Sequence, residues 1–472
     1  MKQKITTDLA GNMEYFHEKL GIRKSFDIIC RTTVVADRQA CFYFIDGFIK
    51  DDIMEKLMEF FYSVTPEDLP EDSSGLSRDA MPYVEVELLS DRSEIETNIL
   101  SGVLCLFIDG YDKCFAIDCR TYPMRSVAEP EKDKVLRGSK DGFVETVVFN
   151  TALIRRRIRN PSLVMEMQQA GSSSRTDIVL CYMDDRVDRK FLEDIRSRIR
   201  NLKVDALTMN QESLVECLYR RKWYNPFPKV KYSERPDAAA ASVLEGKIAV
   251  LVDNSPAAVI LPVSIFDITE EADDFYFPPV TGTYLRLTRL FIGVLTLVLT
   301  PLWILLMQNP QWIPPAFDFI KIEGDVNIPL VYQLLILEIG IDGLKLAAIN
   351  TPNMLTTPLS VIAALVLGEF AVNSGWFNSE TMLYMAFVAI ANYTQSSYEL
   401  GYALKFMRIL LLILTAAFDW YGFLAGILIT LLSIGTNRTI SGKSYLYPLI
   451  PFNGKQLARR IFRKRISFRD GA

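Results

Sequence analysis

Histidine is almost absent from this chain: His17 is the only one among 472 residues. Imidazole is the commonest general base and metal ligand near neutral pH, so its scarcity argues against most catalytic and metal sites. The sequence also lacks a P-loop, a G-x-S-x-G elbow and a dinucleotide-binding fingerprint. We therefore expect a protein that is not an enzyme and that holds no metal or other cofactor.

The seven cysteines include no C-x-x-C pair, and most of them lie in apolar runs such as those around Cys30 and Cys105. An odd count in strand-like surroundings is typical of reduced, buried thiols in a cytoplasmic domain rather than of a disulfide framework. The N-terminus, Met1-Lys-Gln-Lys, has no apolar core of the length that a signal peptide requires. We expect roughly the first 280 residues to stay in the cytoplasm.

Charge is scarce in one part of the chain. Residues 290–437 contain 13 charged side chains, against 86 in residues 1–289 and 10 in residues 438–472. This profile predicts a soluble part, a lipid-embedded part and a tail. The first part has a net charge of −8 and the tail one of +8. The acidic first part argues against nucleic acid as a partner, whereas the basic tail favours membrane lipids with anionic headgroups.

The uncharged run 290–307 is eighteen residues long, about the minimum for crossing a bilayer. Arg286 and Arg289 precede it, which predicts that it runs outward from the cytoplasm. The last apolar segment, 403–435, is long enough for a helical hairpin with its turn near 419–422. Both termini are expected inside, so four or six crossings fit. Two of the segments are polar enough to be re-entrant or interfacial, namely 329–349 and 381–397. The further apolar segments are 329–349, 355–373, 381–397 and 403–435.

One pattern occurs twice in the soluble part. An apolar run ends at Asp46 and precedes an amphipathic helix, and a second run ends at Asp184 and precedes another such helix. Later in each copy, a run ending at Asp109 or Asp253 leads through a turn into another strand. Two related α/β subdomains are predicted. We interpret the four aspartates as turn and cap residues rather than as a catalytic or metal site.

The predicted fold is therefore a cytoplasmic N-terminal region of two related α/β subdomains followed by a multi-helix transmembrane domain. The expected parts are a first subdomain over 1–135, a connector helix over 136–169, a second subdomain over 170–285, a transmembrane domain over 286–437 and a basic cytoplasmic tail over 438–472.

Four arginines crowd the C-terminal end of the connector helix: Arg155, Arg156, Arg157 and Arg159. Cations are favourable at this end of a helix, so a structural connector with a solvated basic end is one interpretation. In the other, these arginines bind lipid headgroups or a neighbouring subunit.

Several stretches, in order, resemble the A subunits of bacterial spore germinant receptors. They are Gly138-Ser-x-x-Gly-Phe-x-Glu145, Leu153-Ile-Arg-Arg-Arg-Ile158, Leu367-Gly-Glu-Phe-Ala-Val372 and Ser444-Tyr-Leu-Tyr-Pro-Leu-Ile-Pro-Phe452. The resemblance covers essentially the whole chain. The sequence of residues 129–137 is most similar to that of a sporulation paralogue within that family.

This resemblance implies a multi-pass protein of the spore inner membrane, with both termini on the core side, that takes part in germination. It implies a homo-oligomeric ring, for example a pentamer, that acts as a channel for monovalent cations. A further membrane-protein partner is also expected. The alternative is a non-conducting receptor subunit that senses or relays a nutrient signal to other membrane proteins.

Ionisable residues inside a membrane segment are costly, so they mark the expected ion pathway. Glu338, Asp342 and Lys345 fall at i, i+4 and i+7 on one side of a helix, and Glu369 is the lone charge in residues 351–379. In a ring of identical subunits, this side of the helix would contribute the same carboxylates from every subunit, and these would form acidic rings around the ion pathway. Alternatively, the helix lies in the interface and pairs its own charges, and Glu369 reaches the headgroups. The predicted apolar gate consists of Leu355, Val361 and Leu365.

Overall fold

The computed structural model describes residues 4–22, 24–67, 69–70, 72–76, 85–120, 136–219, 222–350 and 365–463. The chain divides into two compact units. Unit 1 comprises Met1–Arg221 and Val230–Pro262, and unit 2 comprises Lys222–Lys229 and Val263–Ala472.

The first half of unit 1 is built on a five-stranded antiparallel sheet in the order β1-β2-β4-β5-β3. Apolar side chains of β2, β4 and β5 are buried, and helices supply the rest of the core. The elements are α1 (Leu9–Leu20), β1 (Ile28–Val35), β2 (Arg38–Ile45), α2 (Asp51–Ser63), α3 (Ser73–Gly75), β3 (Val86–Leu89), α4 (Arg92–Leu100), β4 (Leu104–Ile108) and β5 (Cys114–Ile117).

The second half of unit 1 has the same strand order, β6-β7-β9-β10-β8, and is again antiparallel throughout. The two related α/β subdomains predicted from the sequence are therefore present. The elements are α5 (Val147–Arg157), β6 (Leu163–Ala170), β7 (Thr176–Met183), α6 (Arg189–Arg200), α7 (Asn210–Leu218), β8 (Lys231–Ser233), α8 (Pro236–Leu244), β9 (Ile248–Val252) and β10 (Ala258–Leu261).

The repeat extends to individual hydrogen bonds. Asp109 accepts a bond from the first amide of α1, Leu9 N, at 3.1 Å, and Asp253 accepts the equivalent bond from Val147 N of α5 at 3.1 Å. Each carboxylate thus satisfies a helix N-terminus that is distant in sequence. The structural interpretation of these two aspartates is confirmed.

The predicted connector over 136–169 has a different role. Its helix, α5, is the counterpart of α1, and its last stretch is β6, the edge strand of the second sheet. Ala152 of α5 packs in the core of the first sheet, while Leu153 and Ile154 pack in the core of the second. Residues 147–169 therefore belong to the second repeat, and α5 lies against both cores.

Unit 2 is helical. Its elements are α9 (Ile265–Thr269), α10 (Asp273–Tyr276), α11 (Pro279–Gln308), α12 (Leu330–Asn350), a π-helical segment (Leu365–Phe370), α13 (Ala371–Asn373), α14 (Ser379–Asn392), α15 (Tyr398–Gly435) and α16 (Gly454–Ile461). Short 3₁₀ turns at Pro310–Trp312 and Pro315–Ile320 follow α11. The apolar core joins Trp303 of α11, Leu334 and Leu337 of α12, Met385 of α14 and Leu412 of α15.

Helix α15 is a hairpin. Asp419 leaves the helical region with φ 55° and ψ −137°, dividing the helix into a first arm, 398–418, and a second arm, 420–435. A Cβ on Gly422 would overlap the carbonyl oxygen of Leu414, and one on Gly426 would overlap the side chain of Leu411. Glycines four residues apart allow two helices to approach this closely. The turn predicted near 419–422 is confirmed.

Two of the described helices are long and apolar enough to cross a membrane, α11 with a mean hydropathy of 2.5 and α15 with 1.8. The other apolar segments of the described chain form shorter or more polar helices. The number of crossings, four or six, remains a prediction.

Candidate functional site

One group of buried charges in unit 2 lies where α12 meets the first arm of α15. Helix α12 begins after Pro329, and its position is fixed near its start by Gln333. The amide of Gln333 donates to Asn378 Oδ1 at 2.8 Å and accepts from Asn378 N at 2.9 Å. This reciprocal pair orients α12 so that Glu338 and Asp342 face α15.

Glu338 is almost completely buried and has two cationic partners. Arg408 places Nε 2.8 Å and Nη2 2.6 Å from Glu338 Oε1. Lys405 places Nζ 3.2 Å from Glu338 Oε2. Both cations lie on the first arm of α15, are themselves buried and are separated by three residues, so they point to the same side of the helix. The pairing compensates three charges that would be costly alone in an apolar interior.

The remaining donors of the two cations extend the network. Lys405 Nζ also donates to the Glu338 backbone oxygen at 3.1 Å and forms an ion pair with Asp342. Arg408 Nη1 donates to the backbone oxygen of Thr296 on α11 at 3.0 Å. The network therefore connects α11, α12 and α15. We call Glu338, Asp342, Lys405 and Arg408 the charge cluster.

Lys345 lies at the border of the charge cluster. Its ammonium is 4.8 Å from the ring centroid of Tyr393 and 5.9 Å from that of Tyr402, distances typical of cation–π contacts. Asp342 keeps one buried oxygen, Oδ1, without a hydrogen bond, beside a cavity of about 10 Å³. Such a cavity has room for about one water molecule. With Lys345, three cations surround two carboxylates, so this site is not a purely acidic ring.

The structure brings together three of the residues predicted for the ion pathway, Glu338, Asp342 and Lys345. Glu369 is exposed in the π-helical segment, 24 residues after Lys345 in the sequence. Leu365 begins that segment, while Leu355 and Val361 lie outside the described residues. The alternative in which α12 pairs its own charges is wrong for Glu338 and Asp342, because their partners come from α15.

Sequence reasoning missed the role of Lys405 and Arg408. Neither residue was singled out as a candidate from the sequence, yet both are buried in the charge cluster. A signal was available: two cations three residues apart within an apolar helix predict a buried acidic partner.

The four arginines at the end of α5 and just after it also differ from their common prediction. Arg155 is fully buried: Nε is 2.9 Å from Asp27 Oδ2, and Nη2 donates to Ser25 Oγ at 3.2 Å and to Leu163 O at 3.1 Å. Its guanidinium joins the segment before β1 to the start of β6. Binding of Arg155 to headgroups or to another subunit does not agree with this burial.

The other three arginines lie closer to solvent. Arg157 forms an ion pair with Asp141, at 2.5 Å, and donates to Leu153 O. Burial raises the pKa of Asp141, but the hydrogen bonds from Arg157 and Ser139 outweigh it and lower the pKa below its ordinary value. Arg156 and Arg159 are exposed, so for them the surface role remains a prediction.

A second group of ion pairs lies at the N-terminal end of α11. Arg286 and Arg289 both reach the fully buried Asp274, with Nε and Nη1 at 3.2 and 3.1 Å from Oδ2. Arg286 Nη2 also contacts Glu270 at 2.8 Å, and Glu270 accepts from Arg460 of α16 at 2.7 Å. These contacts hold α10 and α16 against the start of α11.

These features lie on a chain that matches, over residues 14–470, the family described as Bacillus/Clostridium GerA spore germination protein. The chain belongs to that family, which confirms the resemblance seen in the sequence. Stage V sporulation protein AF of Bacillus subtilis (strain 168) is 35% identical over 464 residues, covering 98% of this chain and 94% of that protein. Spore germination protein KA of the same organism is 25% identical over 466 residues, covering 97% and 85%.

Among solved structures, the N-terminal domain of the A subunit of the Bacillus megaterium spore germinant receptor GerK3 is similar to part of this chain. The sequence identity is 24% and the TM-score is 0.43, with 55% of this chain and 96% of that one covered.

Proposed function

We propose that this chain is an ion channel subunit of the spore inner membrane that takes part in germination by releasing ions. The charge cluster is the observation that carries the proposal. In the bilayer, ionisable side chains persist where they pair with one another inside a helical bundle, and they mark functional sites there. Family membership and the two long apolar helices support the same placement.

The cluster also suggests how α12 would contribute. One side of α12 is fixed to α15, whereas Ile339 and Leu346 elsewhere on the helix are exposed, and among the described residues no atom of another element lies within 4 Å of a Cβ built on Gly340 or Gly343. In this proposal Ile339 and Leu346 face neighbouring copies in a homo-oligomeric ring. Asp342, whose side chain is 31% exposed, would be the carboxylate nearest to the conducted ion.

Glu369 is the second candidate for the ion pathway. It is exposed and has no opposing charge among the described contacts of its segment. An unpaired carboxylate near a pore concentrates cations by its field. We therefore propose that monovalent cations pass both Asp342 and Glu369, with Glu369 having the stronger influence on selectivity because Asp342 is already paired with Lys405.

The test is ion flux through the purified full chain in liposomes. We expect Glu369→Gln to change the cation-to-anion selectivity or the release rate, with Asp342→Asn having a smaller effect. The matched control is Glu323→Gln, which removes an exposed carboxylate from the loop between α11 and α12. Wild-type flux in both variants, at equal protein levels, would argue against placing either residue in the pore.

The second candidate function is a subunit that relays a nutrient signal without conducting. One observation favours it: Lys405 and Arg408 already neutralise the carboxylates of α12, and Lys345 adds a third cation. The same liposomes separate the two functions. Absence of leakage across a range of voltages, with the chain shown to be inserted and with candidate partners added, would support the relay.

A further inference from the structure

An exposed aromatic pair lies in the short segment that unit 2 receives from the middle of the chain, Lys222–Lys229. Trp223 is 94% exposed and Tyr224 is 59% exposed, whereas Phe227 of the same segment is buried. Lys222 places its ammonium 5.7 Å from the ring centroid of Tyr224. Tryptophan is usually well buried in a folded protein, so this degree of exposure needs an explanation.

The segment is held firmly despite its exposed tip. Asn225 Nδ2 donates to Ser433 O at 2.9 Å, which attaches the segment to the last turn of the second arm of α15. The buried Tyr445 donates through its hydroxyl to Pro228 O at 2.7 Å. Trp223 and Tyr224 are therefore presented at the point where an apolar helix ends.

The chain that follows α15, and that contributes Tyr445 to this attachment, carries more exposed apolar and basic side chains. Ile450 and Phe452 are exposed, Phe452 by 74%. Arg438 and Lys443 are exposed as well, and residues 222–229 and 438–463 contain no acidic side chain. We define the rim as Lys222, Trp223, Tyr224, Arg438, Lys443 and residues 449–452.

We propose that the rim binds the surface of an anionic bilayer, with Trp223 and Tyr224 at the level of the headgroups. The inference rests on the membrane placement of the proposed function. Tryptophan and tyrosine favour this level because their rings are apolar and their N–H and O–H groups need polar partners. Lysine and arginine are attracted to anionic lipids there. A free phosphate would satisfy only the cations, whereas a lipid surface satisfies both kinds of side chain.

The experiment uses the full chain in vesicles of phosphatidylglycerol or phosphatidylcholine, with bromine atoms high on the acyl chains as a quencher. The emission of Trp223 is isolated as the difference between wild type and Trp223→Phe, which leaves the other four tryptophans unchanged. We expect bromine to remove most of this difference emission. In vesicles of the same lipids without bromine, the difference emission should remain unquenched.

The role of charge is tested with Arg438→Gln and Lys443→Gln. In phosphatidylglycerol vesicles, we expect hydrogen-exchange protection of the amides in 223–227 to fall about fivefold for each cation removed. In phosphatidylcholine vesicles, both variants should match wild type.

Flotation separates failure of this inference from failure of the proposed function. If the chain floats with the vesicles but Trp223 is not quenched, the rim proposal is wrong and the membrane placement stands. If the chain does not float, both are wrong. Cross-linking between Trp223→Cys copies in detergent, together with absence of quenching in vesicles, would identify a second copy as the occupant and overturn the proposal.

Discussion

Each unit of the chain buries arginines, and one from each unit, Arg155 and Arg408, can be compared because both pair with a buried carboxylate. In unit 1, Arg155 and Asp27 pair within a region already held by two sheets and their cores. In unit 2, Arg408 shares Glu338 with Lys405 between helices that have no strand ladder to join them. The comparison indicates that ion pairing reinforces an interface in unit 1, whereas it supplies much of the specific helix–helix connection in unit 2.

The two pairs also differ in what remains when one partner is removed. Removing Glu338 leaves a guanidinium, which cannot lose its proton in a protein. Removing Arg155 leaves the carboxyl group of Asp27, which still accepts a hydrogen bond from Ser25 Oγ at 2.6 Å. Loss of the carboxylate from unit 2 should therefore be costlier than loss of the arginine from unit 1.

The largest effect is expected for Glu338→Gln. It leaves Arg408 buried without its carboxylate, and we expect a loss of about 5 kcal/mol of local stability, the upper end for a broken buried pair. The measurement is hydrogen exchange of the full chain, read on α12. Glu323→Gln is the control, and a double variant that also carries Arg408→Gln should recover part of the loss. An equal loss in the double variant would show that the pair does not hold the helices together.

A smaller effect is expected for Arg155→Met, which keeps a long apolar side chain but removes the guanidinium. We expect a loss of about 3 kcal/mol in the free energy of unfolding, the lower end for a broken buried pair, because Asp27 keeps its hydrogen bond from Ser25. Hydrogen exchange on β1 and β6 measures it. Arg156→Met, at the exposed neighbouring position, should change stability by less than about 0.5 kcal/mol. Equal effects of the two variants would mean that burial of Arg155 does not matter.

The smallest effect is expected for a partly exposed pair in unit 1, Arg196 and Glu166, which approach to 2.6 Å. Burial raises the pKa of Glu166, but hydrogen bonds from Arg196 and Gln168 outweigh it and lower the pKa below the ordinary value. A lowered folded-state pKa contributes stability above the unfolded-state pKa, about 4.3 for glutamate, and loses it as the pH falls through the folded-state value.

Arg196→Gln should therefore lower the stability of unit 1 by about 0.5 kcal/mol at neutral pH, a typical value for a partly exposed pair. The difference from wild type should shrink as the pH falls below about 4.3. Urea unfolding of the full chain at several pH values, followed by exchange on β6 and β7, measures it. A difference that does not depend on pH would assign the effect to packing rather than to charge.

Much of unit 1 could be predicted because its signals are local and occur twice. The apolar runs that end at Asp46 and Asp184 became β2 and β7, and the matching positions of Asp109 and Asp253 indicated the repeat. The boundary near 136–169 was harder to place. An edge strand such as β6 carries polar residues on one side, and its membership of a sheet depends on its pairing with β7.

In unit 2 the sequence determined which segments are apolar, that α15 turns back at Asp419, and that Glu338 and Asp342 share one side of α12, because helical periodicity depends only on spacing. Only the tertiary structure decided the partners. Arg408 meets Glu338 across 70 residues, and Arg155 meets Asp27 across 128. The three consecutive arginines Arg155–Arg157 look alike along a helix, and the one that turns inward is selected by a carboxylate that packing brings from elsewhere in the chain.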